Sequence, residues 1–219
     1  MDAHTAAFYD AYATELAATE AGRSAMLATL QATLAPGAWV LDVGAGSGRD
    51  MAALLELGFE AWGVEPHAAM RAAALRLRPG LAGRLADAGL PDLGRPFREH
   101  CPQGFDAVVC SAVLMHVQPA ELAPALASLA RQLRPAVDGE AARRRPALLI
   151  SLPEMRAECL RGDRDRDGRR FHNHEPAHVQ KLLTDSGWAL DGASRSDAVL
   201  ASTGTRWHTL AFRRSCNPR

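Results

Sequence analysis

Lysine is almost missing from this chain: Lys181 is the only one, and arginine supplies nearly all the positive charge. Net charge is missing as well, because 25 basic residues balance 25 acidic ones. No global positive field is available to hold a phosphate backbone, so no nucleic-acid partner is expected. The four cysteines, Cys101, Cys110, Cys159 and Cys216, are widely spaced without a C-x-x-C pair. That spacing argues against a disulfide framework and against a cysteine zinc site. The longest apolar stretch, residues 105–117, is broken by Asp106, Ser111 and His116, so no membrane span is expected. The opening residues carry acids where a signal peptide needs basic side chains, and no apolar h-region follows. A reduced, soluble, cytoplasmic protein is the expectation.

What is present is an ordinary globular composition, 219 residues with 47% apolar and 23% charged side chains. Such a chain buries a full core without metal or disulfides. Phe8, Tyr12 and Leu16 recur at helical spacing, and Met26, Leu27, Leu30 and Leu34 form a second stripe. Pro36-Gly37 ends this helical segment. From there short apolar runs alternate with helical patterns. Strands are expected at 38–43, 59–64, 84–86, 105–110, 147–152, 188–193 and 206–212. Helices are expected from Met51 to Gly58, over 68–77, along Leu122 to Leu133 with Pro124 in the first turn, and around 179–183. Alternation of this kind predicts an α/β fold: seven strands in a mostly parallel, Rossmann-like sheet with helices on both faces. Residues 1–35 read as an N-terminal helical cap and residues 36–219 as the single main domain. In such sheets ligands bind beyond the carboxyl ends of the strands.

The informative segment is Val40-Leu41-Asp42-Val43-Gly44-Ala45-Gly46-Ser47-Gly48-Arg49-Asp50. Alternate glycines let the backbone turn with positive φ and come close to a ligand. Glu65 closes the second strand 21 residues after Gly44, where a carboxylate can accept both hydroxyl protons of a ribose. Turn and acid together describe a nucleoside-bearing ligand. A dinucleotide fingerprint, G-x-G-x-x-G, would put its third glycine at position 49, which is Arg49. Asp42, two residues before the turn, would repel a pyrophosphate but suits an ammonium or sulfonium.

VLDVGAGSGRD, GVEPHAAM, LADAGLPDL and FDAVVCSAVLMHV, in that order, resemble the motif series of class I S-adenosylmethionine (SAM)-dependent methyltransferases over residues 36–135. The resemblance implies SAM as cofactor. Gly44, Gly46 and Gly48 would line its methionine part, with Asp42 beneath the amino group and Glu65 on the ribose hydroxyls. Asp87 and Ala88 would meet the adenine, and Ser111 and Val113 would lie beside the adenosine and methyl group. Tyr9 and Tyr12, the only tyrosines, are candidates to cover the cofactor. The chain departs from the family pattern after Leu133-Arg134-Pro135: the two glycines expected next are replaced by a longer polar loop, 136–145.

Methyl transfer is an in-line displacement that needs alignment first and a base only when the acceptor loses a proton. Cys110-Ser111-Ala112-Val113 stands where an Asn-Pro-Pro-Tyr-like tetrapeptide accompanies base or glutamine N-methylation, which favours a small-molecule acceptor. His116, in VLMHV, is a candidate base. His172 and His174 follow the loop RGDRDRDGRR and are candidates for the acceptor pocket. That loop imitates the start of an EF-hand, but His174 stands where a bidentate glutamate is required, so no metal is expected. Its arginines would also suit an anionic acceptor. The expected activity is SAM-dependent methyl transfer to a small molecule. An NAD-dependent oxidoreductase and a non-catalytic SAM-binding subunit are the alternatives.

Overall fold

A computed structural model describes residues 2–16, 25–141, 144–196 and 205–214. Seven strands form one sheet: β1 (Trp39–Val43), β2 (Glu60–Val64), β3 (Leu85–Ala86), β4 (Ala107–Ser111), β5 (Ala147–Met155), β6 (Trp188–Ser196) and β7 (Thr205–Arg214). Their order is β3-β2-β1-β4-β5-β7-β6. The first five strands are parallel, and β7 runs antiparallel between β5 and β6. The six helices are α1 (Ala3–Glu15), α2 (Ala25–Thr33), α3 (Arg49–Glu56), α4 (Ala68–Leu77), α5 (Leu122–Ala130) and α6 (Pro176–Asp185). Among the described residues no helix is long and apolar enough to cross a membrane.

Strand residues alternate between two cores, as period-two side chains must. Val40, Ala61, Ala107, Val109 and Leu149 pack against Met26, Leu27 and Leu30 of α2, Leu34 just after it, and Met51 and Leu54 of α3. Leu41, Val43, Val64, Val108, Cys110 and Ile150 face the other side, against Leu122, Leu126 and Leu129 of α5 and Val179 and Leu183 of α6. Helices therefore cover both faces. Pro124 lies in the first turn of α5 and Pro176 opens α6, positions where the missing N–H costs nothing.

The first helix differs from its sequence pattern. Phe8 and Tyr12 stack on each other with centroids 5.8 Å apart, and Tyr12 is exposed. The buried face instead carries Thr5, Ala13 and Leu16, with Tyr9 alongside. Ala13 and Leu16 sit on Met70 and Ala73 of α4, while the start of the helix meets the loop after β5. Two partners on one flank turn the helix about its axis, so the aromatic stripe is not the docking face. The strands at the far end are longer than their sequence cores, because β5 and β7 pair through nine registered positions from Ala147↔Arg213 to Met155↔Thr205.

Candidate active site

Parallel pairing brings the carboxyl ends of β1, β2, β4 and β5 to one edge: Val43 lies beside Val64 and Cys110, and Ser111 beside Ser151. The glycine turn leaves β1 there. Gly44 and Ala45 both donate to the Val64 carbonyl, at 2.8 and 3.0 Å, which ties the turn to β2. Gly44, Gly46 and Gly48 have φ of +74°, +54° and +74°. A Cβ on Gly44 would stand 2.3 Å from Val113 Cγ2, and one on Gly48 2.4 Å from Leu81 Cδ1. Gly46 is different: its nearest neighbour would be Met70 Cε at 3.6 Å. Two of the glycines are thus required by packing and the third leaves room.

Glu65 is the centre of this edge. Its carboxylate accepts from Gly46 N at 3.0 Å and His67 N at 2.9 Å, joining the two loops. Burial pushes its pKa up, against the pull of those two amides and of the neighbouring His67 and Arg71. Arg71 donates to the Glu65 carbonyl at 2.7 Å and pairs with exposed Asp87 at 2.8 Å, which places Asp87 at the outer rim near half-buried Ala88. Asp42 is buried, and burial, with Asp50 and Glu65 nearby, raises its pKa to about 8. Two buried carboxyls thus act on each other at the glycine turn. A cation and a diol match that donor set; a pyrophosphate does not. The residues present therefore fit the amino and ribose parts of SAM.

Beyond β4 the chain is strained. Ala112 has φ +57°, between half-buried Ser111 and Val113, in a region that costs an ordinary residue about 1–2 kcal/mol. The turn Leu114–His116 follows. His116 Nδ1 lies 2.7 Å from the Arg170 carbonyl and its Nε2 lies 3.0 Å from the Tyr9 hydroxyl. Burial lowers the His116 pKa, and burial raises that of Tyr9. The His67 ring stands 6.0 Å from that of Tyr9, and its buried Nδ1 has no hydrogen-bond partner among the described residues.

His174 has another position. Its Nε2 lies 2.9 Å from the Leu114 carbonyl and 3.0 Å from that of Val117, so it donates to both and holds the turn bearing His116. The main-chain N–H of His172 donates to Met115 O at 2.8 Å, and its buried Nε2 has no hydrogen-bond partner among the described residues. Met115, Met155 and Phe171 form a small apolar wall with half-buried Ala112, Cys159 and Leu160.

The arginine-rich loop is internally paired. Buried Asp165 accepts from the amides of Asp167 and Arg169 and from the Arg169 guanidinium, and Arg169 lies over the Phe8 ring at 4.4 Å. Arg164 pairs with Asp2 at 2.9 Å, and the Arg170 amide donates to Thr5 Oγ1 at 2.8 Å. Arg164, Arg169 and Arg170 are thus matched by Asp2, Asp165 and Asp163, which weakens the expectation of an anionic acceptor. The roles of His67, Arg71, Arg169 and Arg170 have no signal in local sequence, since each depends on a partner elsewhere in the fold.

Residues 40–136 match the family model described as a methyltransferase domain, close to the span over which the four motifs run. No curated protein matches the chain. Among solved structures, the Burkholderia thailandensis 1,6-didemethyltoxoflavin-N1-methyltransferase, crystallised with 1,6-didemethyltoxoflavin and S-adenosylhomocysteine, is 22% identical with a TM-score of 0.62, over 92% of this chain and 80% of that one. Magnesium protoporphyrin IX methyltransferase from Synechocystis PCC 6803, crystallised with SAM, is 17% identical with a TM-score of 0.64, over 98% and 99%. A [4+2]-cyclase is 16% identical with a TM-score of 0.61, over 87% and 80%. The chain thus matches a methyltransferase-domain model over residues 40–136, and its fold is shared with solved SAM-dependent methyltransferases. Nothing in these matches supports a nicotinamide-dependent oxidoreductase.

Proposed function

We propose that this protein transfers a methyl group from SAM to a small-molecule acceptor, and that within residues 1–35 the helix α1 acts as the cap of the site while α2 belongs to the sheet's core. The observation that carries the reading is the Glu65 carboxylate, held by Gly46 N and His67 N beside a glycine turn with buried Asp42 beneath it. Asp42 and the turn, Gly44 to Gly48, would receive the amino acid part. Glu65 would take the ribose diol, Asp87 and Ala88 the adenine, and Ser111 and Val113 the side nearest the methyl group. Tyr9 is the cap residue that reaches this edge; Tyr12 lies outside it. Bound SAM supplies an electrophilic methyl on a sulfonium, and the protein aligns the acceptor with it and excludes water.

A free small molecule, rather than nucleic acid, suits a neutral chain whose site is roofed by α1 and the loop after β5. The two solved methyltransferases crystallised with SAM or its product, a toxoflavin and a porphyrin enzyme by name, favour the same class of acceptor. The apolar wall of Met115, Met155 and Phe171 gives such a ring a surface to rest on. A cytoplasmic location belongs to this reading. Calorimetric titration with SAM and then S-adenosylhomocysteine tests it. Wild type is expected to bind both, and Glu65→Ala to bind at least about 100-fold more weakly, since it removes hydrogen bonds to a charged group. No binding by folded wild-type protein would overturn the reading. Because a cyclase shares the fold, formation of S-adenosylhomocysteine with candidate acceptors must follow the binding result.

A further inference from the structure

We propose that Tyr9 and His116 form a proton relay that accepts the proton of the methyl acceptor, its direction set by the main chain of Arg170, so that the acceptor is a protic X–H group such as a hydroxyl, a thiol or a ring N–H. This rests on the methyltransferase reading above. Hydrogen-bond bookkeeping fixes the tautomer. The Arg170 carbonyl only accepts, so Nδ1 of His116, 2.7 Å away, carries the hydrogen. In the neutral ring Nε2 then holds a lone pair, and Tyr9, 3.0 Å away, must donate its hydroxyl hydrogen to it. The phenol oxygen accepts from Arg169 and keeps a second lone pair for a further donor.

The surroundings keep this pair in its basic form. Burial holds the His116 pKa below the ordinary value; Arg169 lowers it further, while the Arg170 carbonyl, Asp165 and Asp2 act the other way. Tyr9 feels Arg169, which favours phenolate character, and also Glu65 and Asp165. The charge of Glu65 reaches Tyr9, which sets the pair beside the glycine turn. A methyl group arrives as a cation equivalent, so the acceptor atom ends with one proton too many. That proton passes to the Tyr9 oxygen as Tyr9's own passes to His116 Nε2, and the electrons of the X–H bond remain on X. The products are a neutral phenol and an imidazolium whose two N–H groups face the Arg170 carbonyl and the Tyr9 oxygen. The imidazolium then releases its proton to solvent.

Arg170 also couples the relay to the cap. Its N–H holds Thr5 of α1 while its carbonyl holds His116. Docking of α1 therefore delivers Tyr9 and orients its partner through one residue.

The test is ¹⁵N NMR of the full chain, with and without S-adenosylhomocysteine. His116 is expected as the Nδ1–H tautomer, titrating below the usual histidine range. Tyr9→Phe removes a donor to the neutral ring and should raise the His116 pKa by about one unit, a tenfold change in protonation constant. Thr5→Val should weaken the same coupling while leaving both ring partners in place. An Nε2–H tautomer, or a His116 pKa unmoved in Tyr9→Phe, would overturn the relay even if calorimetry upholds SAM binding; loss of SAM binding by wild type would instead remove the methyltransferase reading. In turnover, phenols, thiols and N–H heterocycles are the expected acceptors. The pH–rate profile should fall below the His116 pKa and lose that limb in His116→Gln. Methylation of a tertiary amine or thioether alone would overturn the proposal.

Discussion

The two ends of the parallel strands handle charge in opposite ways. At the amino ends, Arg134 donates to Asp106 at 2.6 Å and to Glu140 at 2.6 Å, and Asp106 also accepts from Trp39 N at 2.8 Å. Arg213 likewise pairs with Asp191 at 2.9 Å and donates to the Thr33 carbonyl. A cavity of about 200 Å³ opens here, lined in part by Asp106, Arg134 and Glu140, whose charges already satisfy one another. At the carboxyl ends, buried Asp42 and Glu65 act on each other as like charges, and Ala112 nearby is left-handed. One end is arranged for cohesion. The other is held short of it.

Asp42 offers the largest test of that contrast. Its pKa of about 8 lies above the unfolded carboxylate value, so the folded state holds an extra proton between about pH 4 and pH 8. Stability from this group is full below that window and is lost as pH rises through it, by about 1.4 kcal/mol per unit at most. Thermal melts from pH 5 to 8 should therefore fall in wild type relative to Asp42→Asn, by roughly 4 kcal/mol over the range. Binding has the opposite sign. An ammonium beside Asp42 favours the carboxylate, so affinity for SAM should rise between pH 6 and 8, by up to about tenfold per unit. Calorimetry should show this rise in wild type and a flat, weaker response in Asp42→Asn.

Arg134→Ala strikes the other end. It leaves Asp106 and Glu140 facing each other without their cation, at a cost of about 3 kcal/mol. For a chain of this size that lowers Tm by about 8 °C. Affinity for SAM should stay within about twofold, because the two ends are separated by the length of the strands.

The smallest and sharpest comparison lies within the glycine turn. Gly48→Ala drives a Cβ into Leu81 and should destabilise by about 2 kcal/mol or more. Gly46→Ala makes only an ordinary contact with Met70 and should cost only about 1 kcal/mol, from its positive φ. If the open side of Gly46 belongs to the ligand, affinity for SAM drops about tenfold in Gly46→Ala while its melt barely moves. Equal losses of stability in the two variants would erase the distinction.

The cofactor edge was legible in the sequence because its chemistry is local. A strand, three alternate glycines and a helix start occupy consecutive positions, and Glu65 ends the next strand. The order of elements was legible for the same reason. The face of α1 was not: Phe8 and Tyr12 have the right spacing for a buried stripe, but α4 and the loop after β5 select the flank bearing Thr5, Tyr9 and Ala13. Tyr9 and His116 meet across 107 residues of chain, and His116 meets Arg170 across another 54. Neither contact has a spacing rule. His174 belongs to the same group, since only tertiary structure shows which carbonyls its ring holds.

The position of β7 has a consequence for how the chain comes together as it is made. Because β7 lies between β5 and β6, strand β6 has no sheet neighbour until residues 205–214 have been synthesised. During elongation β1 to β5 can assemble in turn, while β5 keeps an open edge and β6 waits unpaired. A ribosome that stalls just before residue 205 would leave two strands' worth of exposed backbone. The last strand is the closing stitch, and quality control that monitors unpaired edges has most to act on in the moments before it arrives.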